Sequence, residues 1–154
     1  INRLADISDL GVMPFTEAKS SLAKAMASDN PWERYWGCIT AAVHGEAAKA
    51  LVPDAKKLLS DKNLMVRMRA AEFLGSIKAM GPMPALLSVL NNATTEQELM
   101  LAFNAVVYLR DYKGYKFDNS KLNLKFKGGE VVRRTSYLEG EPRRPARKNS
   151  KNKK

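Results

Sequence analysis

The chain has 154 residues and a formal net charge of +10 at pH 7, with 45% hydrophobic and 27% charged residues. This length and composition are typical of one globular domain with a sizeable core, and they exclude a chain that is disordered throughout. The single cysteine excludes an internal disulfide framework and a cysteine-cluster metal site, the single histidine excludes a multi-histidine site, and no apolar run reaches the roughly 20 residues that span a bilayer.

The excess positive charge lies almost entirely at the C-terminal end. Residues 1–110 hold 12 Lys/Arg and 11 Asp/Glu, a balance of +1, whereas residues 111–154 hold 14 and 5, a balance of +9. A near-neutral body argues against a folded nucleic-acid-binding face, because such faces carry clustered basic residues. The chain starts with Ile1 rather than Met, so we expect it to be a piece of a longer protein whose compartment this sequence does not reveal.

Prolines and polar clusters predict helices through most of the first 110 residues. Pro14, Pro53 and Pro82 stand where proline opens a helix, because a first-turn N–H has no partner within the helix. Each is followed by a stretch rich in Ala, Leu, Lys and Met, which are good helix formers. Clusters of Ser, Asp, Asn and Thr then predict the cap of a second helix. These clusters are residues 28–30, 60–63 and 91–95.

The chain therefore predicts a helix–turn–helix unit three times, and the copies align at a spacing of 33 to 35 residues. Gly37, Ala70 and Ala105 occupy one equivalent position, where a small residue lets two helices approach closely. Arg34 and Arg67 occupy another position, and the third copy has no arginine there. Large apolar residues recur at helical spacing in the second helix of the central unit, as a buried face requires.

The run 61–75, with Asp, Val-Arg, Ala-Ala and Leu-Gly in that order, resembles the HEAT repeat. The resemblance implies that an aspartate caps the second helix of each unit, which assigns caps to Asp29 and Asp61. It also implies that an arginine bonds across to the adjacent repeat, which assigns cross-links to Arg34 and Arg67.

We expect an all-α fold, a HEAT-like α-solenoid of about three helical pairs over residues 1–110 with an irregular basic C-terminal tail. Alternating apolar residues and lysines predict an extended segment within 111–138, packed on the repeats or on a partner. Residues 139–154 have no large apolar side chain and are expected to form a disordered basic tail. Arg67→Ala should destabilise the fold more than Arg69→Ala, because only Arg67 lies at the cross-linking position.

The most distinctive segment is an aromatic run around an arginine, at residues 30–37. Aromatic rings stack on sugars, bases or cations, which favours a binding platform. The alternative is that Trp32 and Trp36, four residues apart on one helical face, fill a contact with the next domain or repeat. The candidate interaction surface consists of Trp32, Arg34, Tyr35, Trp36, Arg67 and Arg69.

The runs 31–37, 66–75, 104–111 and 114–118 are together similar to the C-terminal helical region of bacterial arylsulfatase-type proteins. In those proteins a HEAT-like segment follows the catalytic α/β domain. The resemblance implies that this chain is a non-catalytic accessory region of an enzyme that hydrolyses sulfate esters. It also implies a periplasmic or exported location. The formylglycine and calcium ion of that family are expected only in the upstream domain.

No pattern in the chain itself predicts catalysis. The Cys/Ser-x-Pro-x-Arg motif that would supply the formylglycine is missing, because Cys38 is followed by Ile-Thr. Cys38 is expected to be a small packing residue. His44 precedes a glycine that reads as a helix C-cap, and a histidine in a last turn interacts favourably with the helix dipole. We therefore expect no catalytic, cofactor-binding or metal-ligating residue here.

Two other functions stay open. One is a free-standing HEAT scaffold that binds a protein or peptide on its concave side. The other is nucleic-acid binding, in which the basic tail contacts phosphates and the aromatic surface contacts bases or sugars. The tail residues Arg143, Arg144, Arg147 and Lys148 suit any acidic polymer, including a sulfated glycan or an anionic membrane. The alternative for the tail is a solubilising role without a specific partner. The expected partner of the body is its own upstream catalytic domain or another protein.

Overall fold

A computed structural model describes residues 2–140, and these residues contain α-helices and 3₁₀ turns but no strand. The all-α prediction is confirmed. The helices are α1 (Asn2–Asp9), α2 (Phe15–Met26), α3 (Pro31–Val43), α4 (Val52–Leu58), α5 (Leu64–Ser76), α6 (Met83–Asn92), α7 (Glu96–Lys113) and α8 (Gly129–Glu139). Short 3₁₀ segments occupy Leu10–Val12, Gly45–Leu51 and Asn119–Lys121. None of the described helices is both long enough and apolar enough to cross a bilayer.

The prolines open helices as predicted. Pro14 and Pro82 directly precede α2 and α6, and Pro53 lies in the first turn of α4. In these places the ring replaces an N–H that has no acceptor within the helix, so it costs no hydrogen bond. Helix starts are thus set by residues that act within one turn of the chain.

The caps of α3 and α5 differ from the expectation drawn from the HEAT resemblance. Asn30, not Asp29, caps α3, and its Oδ1 accepts from the backbone N of Trp32 at 2.9 Å. Asn63, not Asp61, caps α5. A cap must directly precede the first helical residue, and both aspartates lie too early. Asp61 instead accepts from the backbone N of Asn63 at 2.8 Å, which supports the turn before the cap.

Helices α3, α5 and α7 contact one another in order, and each also packs on the helix that precedes it in its pair. The core forms two apolar clusters, one between α2 and α5 and one between α5 and α8. Phe73 and Phe103 are fully buried and are the largest side chains of the two clusters. Helix α5 contributes to both clusters, since it lies between α3 and α7, and this explains why apolar residues surround it.

Close packing also explains one glycine at the end of α5. A Cβ on Gly75 would lie 2.6 Å from Cγ of Pro82, a distance that real Cβ atoms do not adopt. Glycine at this position lets the loop into α6 fold directly against α5. Leu109 of α7 would lie only 3.1 Å from the same Cβ, so three elements meet there.

The region after the repeats is divided differently from the prediction. Helix α7 continues to Lys113, beyond the expected boundary at residue 110, and ends where Gly114 adopts a left-handed conformation with φ of 79°. We expected an extended segment over residues 111–138. Only residues 114–128 lie outside the α-helices, and they include the 3₁₀ turn, whereas residues 129–139 form α8. The predicted tail residues Arg143, Arg144, Arg147 and Lys148 lie outside the described residues.

The segment 114–128 packs on the last helical pair. Its apolar residues are half-buried against the second cluster: Tyr115, Phe117, Leu122, Leu124 and Phe126. The lysines between them are exposed. The 3₁₀ turn at Asn119–Lys121 moves the inward positions from odd to even residue numbers, so the apolar side chains keep facing the helices on both sides of it. Tyr115 further donates from its hydroxyl to the backbone oxygens of Gly75 and Met80 at 3.1 and 3.2 Å.

Candidate functional site

Arg34 joins the first helical pair to the second. Its Nε and Nη2 donate to the two carboxylate oxygens of Asp61 at 2.6 and 3.0 Å, and its Nη1 donates to the backbone oxygens of Ser28 and Asp29 at 2.7 and 2.9 Å. The hydrogen bonds that Arg34 donates to Asp61 raise the pKa of Arg34. Arg34 therefore makes the predicted cross-link, and its guanidinium is occupied by the fold rather than presented to a ligand.

The electrostatics of Asp61 agree with this bidentate pair. Burial on its own acts to raise the pKa of Asp61, but the hydrogen bonds from Arg34 and from the backbone of Asn63 hold it below its ordinary value. The positive charge of Arg67 acts in the same direction. Asp61 is therefore ionised at neutral pH, binds Arg34 directly and lies within electrostatic range of Arg67, the equivalent arginine of the next unit.

Arg67 does not repeat the Arg34 contact. Arg34 meets Asp61 in the next unit, and the residue 35 places after Asp61, at the corresponding position of the third unit, is Glu96. The Nε of Arg67 is buried and has no hydrogen-bond partner among residues 2–140. The expected second cross-link is not formed among residues 2–140, because Glu96 is exposed in the first turn of α7 and makes no ion pair with Arg67.

Arg69 is held by a different set of partners. Its Nη1 lies 2.5 Å from Oε2 of Glu72, its Nη2 donates to the Tyr35 hydroxyl at 2.8 Å, and its Cζ lies 4.9 Å from the centre of the Tyr35 ring. Burial acts to lower the pKa of Arg69, whereas Glu72 and Tyr35 together raise it above its ordinary value. Arg69 thus fixes an α3 aromatic ring against α5 through charge, a hydrogen bond and a cation–π contact.

The aromatic run of α3 divides between packing and exposure. The Tyr35 ring contacts Trp32 edge-on at 5.9 Å between centroids and Trp36 at 6.2 Å. Trp32 is 55% exposed, whereas Tyr35 and Trp36 are half-buried. We call Trp32, Tyr35, Trp36 and Arg69 the aromatic surface. Arg34 and Arg67 lie apart from it at Asp61, because residue 34 does not share the helical face of residues 32, 35 and 36.

Cys38 and His44 have structural surroundings. Cys38 is fully buried, and burial raises the pKa of its thiol to about 12, so the thiol stays protonated and unreactive. The Nε2 of His44 lies 3.0 Å from the backbone oxygen of Leu10, and its ring packs on Phe15 at 5.4 Å. That nitrogen must carry the proton, because a carbonyl can only accept. Among residues 2–140 no three His, Cys, Asp or Glu side chains are grouped as metal ligands.

The fold buries two charged residues, Arg110 and Asp111, to which the sequence pattern assigned no role. Arg110 and Asp111 bond to each other at 2.8 Å, and Tyr137 donates to the second oxygen of Asp111 at 2.5 Å. The Nη1 of Arg110 also donates to backbone oxygens at the end of α8, including that of Leu138 at 2.9 Å. These bonds tie α8 to α7. The sequence signal was an adjacent Arg-Asp pair at the end of a helix that is otherwise largely apolar.

No protein-family model matches the chain, and no curated protein or solved structure matches it either. The resemblances to the HEAT repeat and to the sulfatase C-terminal region therefore rest on the residues quoted above.

Proposed function

We propose that this chain is a non-catalytic interaction module whose helices stack as a HEAT-like solenoid of about three pairs. The ordered contacts of α3, α5 and α7 support the stacking, as does the Arg34–Asp61 pair between neighbouring units. The surroundings of Cys38 and His44, the residues of the chain best suited to nucleophilic or acid–base catalysis, support the non-catalytic role. Cys38 is buried with a raised thiol pKa, and His44 is bonded to a backbone oxygen.

The aromatic surface carries the interaction proposal. The Trp32 side chain is about half exposed. The Tyr35 ring beside it is held by a hydrogen bond from Arg69. Binding therefore orders few additional side chains, and interface hot spots are enriched in Trp, Tyr and Arg for this reason. We infer that this surface contacts a second domain or protein, and that Trp32 is the residue most deeply covered there.

The partner that the sequence resemblance favours is the catalytic domain of a sulfatase that precedes this module in the same protein. Formylglycine and calcium would then belong to that domain, and the protein would be periplasmic or exported. The open reading frame upstream of Ile1 tests this. A frame that contains Cys/Ser-x-Pro-x-Arg supports the sulfatase proposal. A stop codon immediately upstream contradicts it and favours the free-standing scaffold.

Hydroxyl-radical footprinting tests the interaction proposal in the protein as it exists. Residues 1–154 and the full-length protein are labelled in parallel, and the modification of each aromatic residue is measured by mass spectrometry. Trp32 should be labelled several-fold less in the full-length protein, because the partner domain covers it. Tyr112, which is 63% exposed near the end of α7, is the internal control. Equal labelling of Trp32 in both samples would contradict contact between the aromatic surface and another domain of the same protein.

The nucleic-acid alternative depends on the basic tail, since the body is near neutral. It is tested by a salt titration of DNA binding with the whole chain and with a version that ends at Gly140. This end point keeps α8 and its bonds to Arg110. A tail that anchors phosphates predicts weaker binding and a smaller salt dependence after truncation, whereas unchanged binding excludes that role.

A further inference from the structure

An open cleft of about 240 Å³ lies between α1, α2 and α3, away from the aromatic surface. Apolar side chains of Ile7, Leu10 and Ala25 form part of its wall. The carboxylate of Glu33, from the first turn of α3, also lines it. The cleft thus combines an apolar wall with an acidic group.

Glu33 is the unusual member of this site. Its side chain is only 5% exposed, and its Oε1 accepts from Nε of Arg3 at 3.0 Å. Its Oε2 is buried and has no hydrogen-bond partner among residues 2–140. A carboxylate has about four acceptor positions, and leaving one oxygen without a donor away from water is costly. The described side chains therefore leave Oε2 of Glu33 without a hydrogen-bond donor.

The nearby basic residues of the chain do not remove this deficit. The Arg3 side chain is 75% exposed, so it reaches Oε1 from the solvent side and leaves most of its guanidinium in water. Lys24 lines the cleft from the last turn of α2 and is exposed, and its charge is favoured there by the helix carbonyls. Asp6 adds a second, exposed carboxylate at the cleft.

We propose that the cleft binds an arginine side chain presented by a partner protein. Its guanidinium would donate to the Glu33 carboxylate, with the exposed Arg3 side chain moving aside so that Oε2 becomes accessible, and its methylene stem would lie along Ile7 and Leu10. Arginine suits the site better than lysine, because a guanidinium is more weakly hydrated and loses less on entering a partly apolar cleft. The proposal does not rest on the proposed function, since Glu33 faces α1 and α2 whereas Trp32 packs against Tyr35.

The test is an NMR titration of the ¹⁵N-labelled whole chain with N-acetyl-arginine amide. N-acetyl-citrulline amide, which has nearly the same shape but no charge, is the matched ligand control, and N-acetyl-lysine amide is the third arm. We expect saturable shifts of amides in residues 3–10, 21–25 and 33, with the citrulline compound at least about tenfold weaker. Lysine binding as tight as arginine, equal binding of citrulline, or no saturable shift would overturn the proposal.

Variants complete the test. Glu33→Gln should weaken arginine binding about tenfold or more, because it removes the negative charge and leaves the size unchanged. Glu17→Gln, in the first turn of α2 and outside the cleft, should leave binding unchanged. Ser21→Trp narrows the cleft from an exposed position, so it should abolish binding even if Glu33→Gln does not fold. Arginine binding that survives both cleft substitutions contradicts the assignment.

Discussion

Terminal helices α1 and α8 each pack beside a longer helix and are each linked by an arginine contact, but the two contacts differ in burial. At the C-terminal end Arg110 is 4% exposed and bonds to Asp111 and to the last backbone oxygens of α8. At the N-terminal end the exposed Arg3 meets Glu33 from the solvent side. The same type of contact can therefore stabilise one end more than the other, because solvent screens the Arg3–Glu33 pair on one side and is excluded from the Arg110–Asp111 pair.

The apolar contacts follow the same division. Helix α8 buries Val131 and Leu138 in the second cluster, and the segment before it covers the last helical pair with half-buried apolar side chains. Among the described side chains of α1 only Ile7 is buried. Exposed Val12, Met13 and Val43 also lie on the first three helices or the turn between them. Tyr112 and Val132 are exposed at the C-terminal end as well. The two ends therefore differ in how much of the last helix is buried, since α8 and the segment before it cover the last helical pair, whereas α1 buries only Ile7 among its described side chains.

The largest predicted effect is at the buried contact. Arg110→Ala should lower the free energy of unfolding by about 3–5 kcal/mol, because it leaves the Asp111 carboxylate buried without its ion pair. Urea unfolding followed by circular dichroism measures this loss. Arg133→Ala, which removes an exposed pair with Glu130 on α8, is the control and should change stability little. Equal losses of stability from Arg110→Ala and Arg133→Ala would contradict the conclusion that the buried contact stabilises the C-terminal end.

A smaller effect is expected inside the helical array, at Arg34. Arg34→Ala should cost about 2 kcal/mol, since it removes charge-assisted bonds to a mostly buried aspartate. A double-mutant cycle with Asp61→Asn separates the pair from other losses of each side chain. A coupling energy near zero would mean that this pair does not join the two units.

The Arg34–Asp61 pair also predicts a pH dependence. Burial acts to raise the pKa of Asp61, but its hydrogen bonds hold it below the ordinary value of about 3.9. A lowered carboxyl pKa stabilises the fold fully above the unfolded value, and this stability is lost as pH falls through the folded pKa. The difference in unfolding free energy between the wild type and Asp61→Asn should therefore shrink below about pH 4. A constant difference from pH 7 to pH 2 would contradict this.

Arg69 and Arg67 test the aromatic surface. The contacts favour the opposite of the ranking expected from the sequence, since Arg69 has charged, hydrogen-bonding and aromatic partners and the Nε of Arg67 has no hydrogen-bond partner among residues 2–140. Arg69→Ala should cost about 1–2 kcal/mol and Arg67→Ala less than about 1 kcal/mol. Chemical denaturation of both variants measures the order. A larger loss of stability from Arg67→Ala than from Arg69→Ala would contradict this order and favour Arg67 as the cross-linking residue.

The smallest effect is predicted at the N-terminal end. Arg3→Ala should lower the unfolding free energy by less than about 1 kcal/mol, because Arg3 is exposed and water can take its place at Oε1 of the buried Glu33 carboxylate. Hydrogen exchange of the α1 amides gives the more sensitive measurement, and these amides should exchange faster than those of α8 in the wild type. Slower exchange in α1 than in α8 would reverse the comparison of the two ends.

Much of the fold was predictable from short-range signals. Pro14, Pro53 and Pro82 marked helix starts correctly, because a helix N-terminus is decided by residues within one turn of it. The aspartate caps were wrong by one or two residues, since a family pattern locates a turn more accurately than it locates the capping atom. Helix α8 was missed because its few apolar residues, such as Val131 and Leu138, form a weak pattern until α7 supplies the opposite surface.

By itself the sequence determined the helical class, the repeated pairs and the small residues between them, because these follow from spacing along the chain. Only the tertiary structure decided which charged side chains pair with each other. Arg34 pairs with Asp61 and Arg110 bonds to the end of α8 across 27 to 30 residues, whereas among residues 2–140 the Nε of Arg67 and the Oε2 of Glu33 have no hydrogen-bond partner. Such partnerships depend on how helices pack and how much water they exclude, and neither quantity is a property of local sequence.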